Sequence, residues 1–222
     1  MNVALRPPGR LPAELVFDLV CPWCFIGLRR LDRALARRPD VRLDLTFRPF
    51  LLNPEMPRGG LARSEYLTRK YGGEERARRL HAAITEVARQ EGLVLRLDLI
   101  LRTPASLDAH RLVRFAARQG FAREAVEALF SAYFQEGRDI GEAGELSAIA
   151  GAIGLPPAEA RRFLAGPEEA DAVAAENLRA HRMGINGVPC LVLGGRHAIS
   201  GAQEAEVISR LMDVALLETL RS

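Results

Sequence analysis

Two cysteines three positions apart, Cys21 and Cys24, stand where a short apolar run gives way to an amphipathic helix, and this junction constrains the chain more than any other feature. Residues 15–20 carry Val16, Phe17 and Val20 in a nearly unbroken apolar segment interrupted only by Asp18, and read as a buried strand. Pro22 suits the first turn of a helix, where the N–H it lacks would be unpaired anyway. Cys24, Leu28, Leu31 and Leu35 then repeat at i, i+4, i+7 and i+11 until Pro39 and Asp40 end the pattern, which predicts a helix over 22–37. Alternation through 41–50 predicts a second strand and completes a β-α-β unit.

The same periodicity separates the two sulfurs. Cys24 lies on the stripe that packs inward, whereas Cys21 sits among the unpaired N–H groups of the helix start, at the positive end of the helix dipole. Such a position favours the thiolate and brings its pKa below the free value of about 8.5. Cys21 is therefore the expected nucleophile. Cys24, one turn further on and shielded, is the expected resolving thiol, attacking a mixed disulfide held on Cys21. A lone C-x-x-C is also half of a zinc site, but that needs two more ligands, and only Cys190 with His181 or His197 offers them. The strand and helix flanks favour redox chemistry, and no metal ligand is assigned.

Between about 60 and 183 the pattern is helical and punctuated by glycine and proline. Helices are expected at 62–71 and 74–91, then an ambiguous apolar stretch at 93–101. Thr103-Pro104 reads as the cap and first position of a helix stopped by Gly120, and the next helix ends at Gly137. Shorter helices are expected at 145–153 and 157–165, with another starting at Gly166-Pro167-Glu168-Glu169. After Gly184 and Gly187 come Val188-Pro189, a hairpin turning at Gly194-Gly195, and Ser200-Gly201-Ala202-Gln203, which matches a capping box before a last helix.

Composition narrows the function. A chain of 222 residues, 48% hydrophobic, buries enough surface to fold without disulfide staples or a structural metal, which leaves its three cysteines free for chemistry. Pro7, Pro8 and Gly9 interrupt any signal-like apolar stretch at the N-terminus, so the expected compartment is the cytoplasm. No apolar window reaches the roughly 20 residues of a membrane span. Net charge is +3 with Lys70 the only lysine, and Arg29, Arg33 and Arg37 follow the spacing of a solvated helix face, so neither a nucleic acid nor a membrane partner is expected.

Six segments in this order resemble one family: 18–27 around the cysteines, Arg48-Pro49-Phe50-Leu51-Leu52-Asn53-Pro54, Leu107-Asp108-Ala109-His110-Arg111-Leu112, Glu136-Gly137-Arg138-Asp139-Ile140, Gly184-Ile185-Asn186-Gly187-Val188-Pro189, and Ser200-Gly201-Ala202-Gln203. Across nearly its whole length the sequence is similar to the DsbA superfamily of thioredoxin-fold oxidoreductases, in its FrnE-like cytosolic branch. The resemblance implies an α/β fold of thioredoxin type, with β-α-β and β-β-α halves interrupted by a large all-helical insertion. Residues 1–58 would form the first part, 59–166 the insertion and 167–222 the last part.

The resemblance further implies thiol–disulfide exchange on disulfide-containing proteins or peptides, or on a small thiol, with no tightly bound cofactor and with glutathione or another thiol as co-substrate. Val188-Pro189 matches the family's cis-proline, which faces the cysteine pair. Val188 would offer its backbone to an extended substrate strand beside Pro22 and Trp23. Cys190 departs from the pattern and reads either as a small buried core residue or as a third redox thiol. Asp18 reads either as a proton acceptor for Cys24 or as a carboxylate that satisfies loop N–H groups. His110 and Arg111 are expected as a helix-surface pair, with a place in the substrate groove as the other reading. Gly201, Ala202 and Gln203 match a region that binds glutathione in related transferases and isomerases. Two other functions stay open: a glutathione-dependent isomerase or transferase on a small aromatic or polyketide-like molecule, and a zinc-binding or holdase-like interaction protein.

Overall fold

The computed structural model describes residues 9–219. Residues 1–8, on which the absence of a targeting segment was read, lie outside these, as do 220–222. The chain runs β1 (Gly9–Phe17), α1 (Pro22–Ala36), β2 (Val41–Pro49), then a long segment with α2 (Arg63–Tyr71), α3 (Glu74–Gln90), α4 (Leu107–Ala117), α5 (Ala122–Phe134), α6 (Ala143–Ala152) and α7 (Pro157–Ala165). It closes with α8 (Ala170–Arg182), β5 (Cys190–Leu193), β6 (His197–Ser200) and α9 (Ala205–Thr219). Two short strands, β3 (Leu61–Ala62) and β4 (Arg102–Thr103), pair antiparallel inside the long segment, so that segment is mainly but not wholly helical.

The main sheet has the order β2-β1-β5-β6, with β1 and β2 parallel and the other pairs antiparallel. Alternation along β1 decides what each face packs against. Leu11 and Ala13 bury against Leu31 and Ala34 of α1 and Ile208 and Met212 of α9. Leu15 and Phe17 continue this face into a second cluster with Cys24, Phe25 and Leu28 and the helices of the long segment. There the Phe25 ring stacks on Phe130 at 5.1 Å. Val16 points the other way, into a cluster with Phe50, Ala180 of α8, Cys190 and Val192.

Several elements differ from their expected bounds, each for a local reason. The first strand ends at Phe17 rather than at 20, because the Asp18 carboxylate takes the N–H of Leu52 at 2.8 Å and the chain turns there. Residues 93–101 form a loop that buries Leu93, Leu95, Leu97 and Ile100. Thr103 belongs to β4, and its hydroxyl accepts from Arg63, so α4 starts four residues later. Gly137 lies beyond α5 with a left-handed φ of 70°, and a Cβ there would come within 2.5 Å of Leu99. Glu169 precedes α8 at φ 65° and pairs with Arg114 and Arg118. Ser200 ends β6 and does not cap a helix: the Gln203 amide donates to the Ser200 carbonyl at 2.8 Å, and α9 begins only at Ala205.

Arg29, Arg33 and Arg37 occupy the outer face of α1, each on a carboxylate: Glu127, Glu91 and Glu206 respectively. Among the described residues no helix is long and apolar enough to cross a membrane.

Candidate active site

Cys21 is the N-cap of α1, in extended conformation, with Pro22 at the first helical position. Cys24 lies one turn further, fully enclosed. The two environments push the thiols in opposite directions. A hydrogen bond from the Cys24 thiol holds Cys21 below the ordinary thiol range; burial opposes this, and the N–H groups of Cys24 and Trp23 add to it. Burial, then the hydrogen bond to Cys21 and its negative charge, drives Cys24 well above that range. Of the two sulfurs, Cys21 is thus the one whose thiolate the site favours.

Iodoacetamide should therefore label Cys21 first, at a rate that rises with pH and levels off below the midpoint of an ordinary thiol. Cys24 should stay unlabelled until well above it. Mass mapping of the labelled peptide against pH checks this, and faster labelling of Cys24 would reverse the assignment.

The Cys21 Sγ lies 3.7 Å from the Val188 carbonyl, and the Val188–Pro189 peptide is cis. Gly27, one turn along α1 from Cys24, lets this loop approach: a Cβ there would come within 3.0 Å of the Pro189 ring. Trp23 is exposed beside the sulfur. A cleft lined by Cys21, Pro22, Trp23 and side chains of α2 and α3 opens next to it.

Asp18 is fully buried behind the cysteines. Its carboxylate accepts from the Leu52 N–H and faces His110 Nε2 at 3.3 Å, while its charge raises both thiols. His110 is buried edge-on against Phe17, not at a helix surface as expected. Arg111 is buried too, tied to the carbonyls of Phe163, Leu164, Gly166 and Glu168 and to Asp108. Neither could be placed from sequence, because burial of a polar side chain depends on partners more than 50 residues away for Arg111 and 92 for His110. Gly27 carried one signal, a glycine in the middle of an amphipathic helix.

Cys190 sits on the opposite face of the sheet, paired in register with Val16, and burial raises its thiol. His181 packs on Phe50 and His197 pairs with Glu218, so the four-ligand zinc set is not assembled. Among the described residues no group of three or more His, Cys, Asp or Glu could hold a metal. Gly201, Ala202 and Gln203 lie next to Pro189 with much of their hydrogen bonding spent internally. The N–H of Gly201 goes to Pro189, the N–H of Gln203 goes to Gly201, and the Ala202 carbonyl accepts from Arg30.

A family model described as the DSBA-like thioredoxin domain matches residues 14–213. The chain belongs to this family. Among solved DSBA-like structures, a probable DsbA oxidoreductase from Streptomyces coelicolor is 31% identical, with 92% of this chain and 89% of that one covered and a TM-score of 0.83. The cytosolic disulfide reductase DsbM from Pseudomonas aeruginosa, solved with GSH, shares the fold at 23% identity over 96% of this chain and 100% of that one, with a TM-score of 0.62. A 2-hydroxychromene-2-carboxylate isomerase shares it at 14% identity over 95% and 98%, with a TM-score of 0.72. No curated protein matches. The fold is thus the DsbA-like thioredoxin fold with a large helical content.

Proposed function

We propose that this DSBA-like protein is a thiol–disulfide oxidoreductase in which Cys21 attacks and Cys24 resolves. The observation that carries this reading is the asymmetry of the two thiols at the start of α1, one lowered in pKa beside an open cleft and the other fully enclosed and raised.

The steps balance between sulfurs alone. The Cys21 thiolate attacks one sulfur of a substrate disulfide, forms a mixed disulfide and expels the other sulfur as a thiolate. Cys24 then loses its proton and attacks the Cys21 sulfur, which releases the second substrate thiol and leaves a Cys21–Cys24 disulfide. The substrate gains two electrons and the protein loses two; the reverse sequence oxidises a substrate dithiol. Glutathione or another small thiol returns the protein to its starting state, and no tightly bound cofactor takes part. Val188, Pro189, Pro22 and Trp23 form the platform on which an extended protein or peptide substrate lies. The cytoplasm is the compartment this reading favours, since dithiols stay reduced there. Reduced protein mixed with a peptide disulfide should become oxidised at Cys21 and Cys24 in proportion to the peptide reduced. Peptide reduction without loss of those two thiols would contradict the reading.

Within this reading Asp18 takes the proton of Cys24, held in place by Leu52 and His110. Asp18→Asn should slow resolution of the mixed disulfide by about 10²-fold, the lower end for loss of a positioned base. The Cys21 labelling midpoint should meanwhile move to lower pH, because a charge that raises it is gone. A stopped-flow trace of resolution together with the labelling profile checks both. An unchanged resolution rate would leave Asp18 as a carboxylate that only satisfies loop N–H groups.

A further inference from the structure

The cleft beside Cys21 carries two cationic side chains that rest on no carboxylate among the described residues. It encloses about 210 Å³ and is lined by Cys21, Trp23, Arg63, Tyr66, Lys70 and His81 among others, with no aspartate or glutamate among the described residues. Lys70 is the only lysine of the chain. It donates to the Tyr66 hydroxyl at 2.6 Å and lies 5.2 Å from the centre of that ring. Arg63 stands over the same ring at 5.6 Å, donates to the Thr103 hydroxyl at 2.9 Å and reaches His81 Nε2 at 3.2 Å.

Among the described residues both cations are therefore held in position without a carboxylate partner, and the Cys21 thiolate is the anionic group that the cleft itself presents to Lys70. Every other partly or fully buried arginine among the described residues, Arg30 and Arg111 included, rests on a carboxylate. Arg63 has none, and its Nε is buried with no hydrogen-bond partner. His81 does not compensate, because an imidazole is neutral or cationic and supplies no negative charge; burial and the neighbouring Arg63 charge hold it below the ordinary imidazole range. Leaving a charged group partly desolvated and a donor unsatisfied is costly unless a ligand completes it.

We propose that this cleft is a carboxylate-binding subsite that selects, for exchange at Cys21, low-molecular-weight disulfides and thiols carrying a carboxylate group. The proposal rests on Cys21 being the attacking thiol. A carboxylate seated between the Arg63 guanidinium and the Lys70 ammonium gains charge-assisted hydrogen bonds in a site walled by Trp23, Tyr66 and Leu97. Its attached sulfur is brought to the open side of Cys21.

The test uses three disulfides of matched length and different charge: dithiodipropionate, bis-hydroxyethyl disulfide and cystamine. Rates of reaction with the reduced full chain are measured by stopped flow at low salt, each divided by the rate with iodoacetamide to remove differences in thiolate reactivity. The anionic disulfide should react at least about tenfold faster than the cationic one, as for a charge-steered encounter. The ratio should shrink toward about one in high salt and in Arg63→Gln and Lys70→Gln. Lys70→Gln alone decides the matter if Arg63→Gln fails to fold. A ratio that is the same in wild type and variants would overturn the subsite and leave the dithiol reading standing. Failure of the wild type to react with any of the three would overturn both.

Discussion

Cys21→Ser should abolish disulfide exchange, whereas Cys24→Ser should keep the first attack and stop at a mixed disulfide. A serine hydroxyl at the head of α1 stays protonated near neutral pH, so the helix start has no anion to stabilise and no nucleophile to offer. In Cys24→Ser the Cys21 sulfur remains, still beside the Val188 carbonyl and the cleft, but the thiol one turn below it is gone. The hydrogen bond from Cys24 is also the largest influence lowering the Cys21 pKa, and the serine hydroxyl keeps a donor at that position for the first attack. Intact mass after mixing each variant with a peptide disulfide reads the result directly. Unmodified protein is expected for Cys21→Ser and a stable peptide adduct for Cys24→Ser. Equal turnover by both variants would refute the division of roles.

Arg111→Ala should be the most damaging substitution for stability. The guanidinium lies in the packing of α4 against α7 and the start of α8, and its donors reach the carbonyls of Phe163, Leu164, Gly166 and Glu168 as well as Asp108. These carbonyls belong to the end of α7 and the loop after it, where a helix leaves its last acceptors unpaired. Removing the side chain strands several buried carbonyl acceptors, each losing a charge-assisted hydrogen bond, and should cost about 3–5 kcal/mol. For a chain of this size that lowers Tm by roughly 10 °C. Arg111→Lys should recover only part, since an ammonium has three donors and no planar fork. Urea unfolding of both variants measures this. A loss below about 1 kcal/mol for alanine would mean that water replaces the guanidinium.

How much of this was legible in the sequence depended on the range of the interaction. The two sulfurs could be told apart because helical period alone puts Cys24 inward and leaves Cys21 at the start of α1. The cis Val188–Pro189 bond came from family likeness, since nothing local distinguishes it from an ordinary trans bond. Asp18 was visible as an anomaly in an apolar run, but its partners, Leu52 and His110, come from elements far away in the chain. The capping box at Ser200 and the cap at Thr103 failed because both residues were claimed by strand pairing before the helix began. Lys70 was noticed only as the single lysine. Its place beside Cys21 depends on how α2 and α3 fold over the start of α1, which no local pattern records.

The central claim is a reversible two-electron couple confined to Cys21 and Cys24. Equilibrating the protein in glutathione buffers of graded ratio, quenching with acid and mapping free thiols after unfolding tests it most directly. A single transition between dithiol and Cys21–Cys24 disulfide is predicted, with Cys190 free throughout. The midpoint should fall within the span of two-cysteine thioredoxin-fold proteins, about −270 mV to about −120 mV. A disulfide that includes Cys190, or no transition at all between Cys21 and Cys24, would contradict the account.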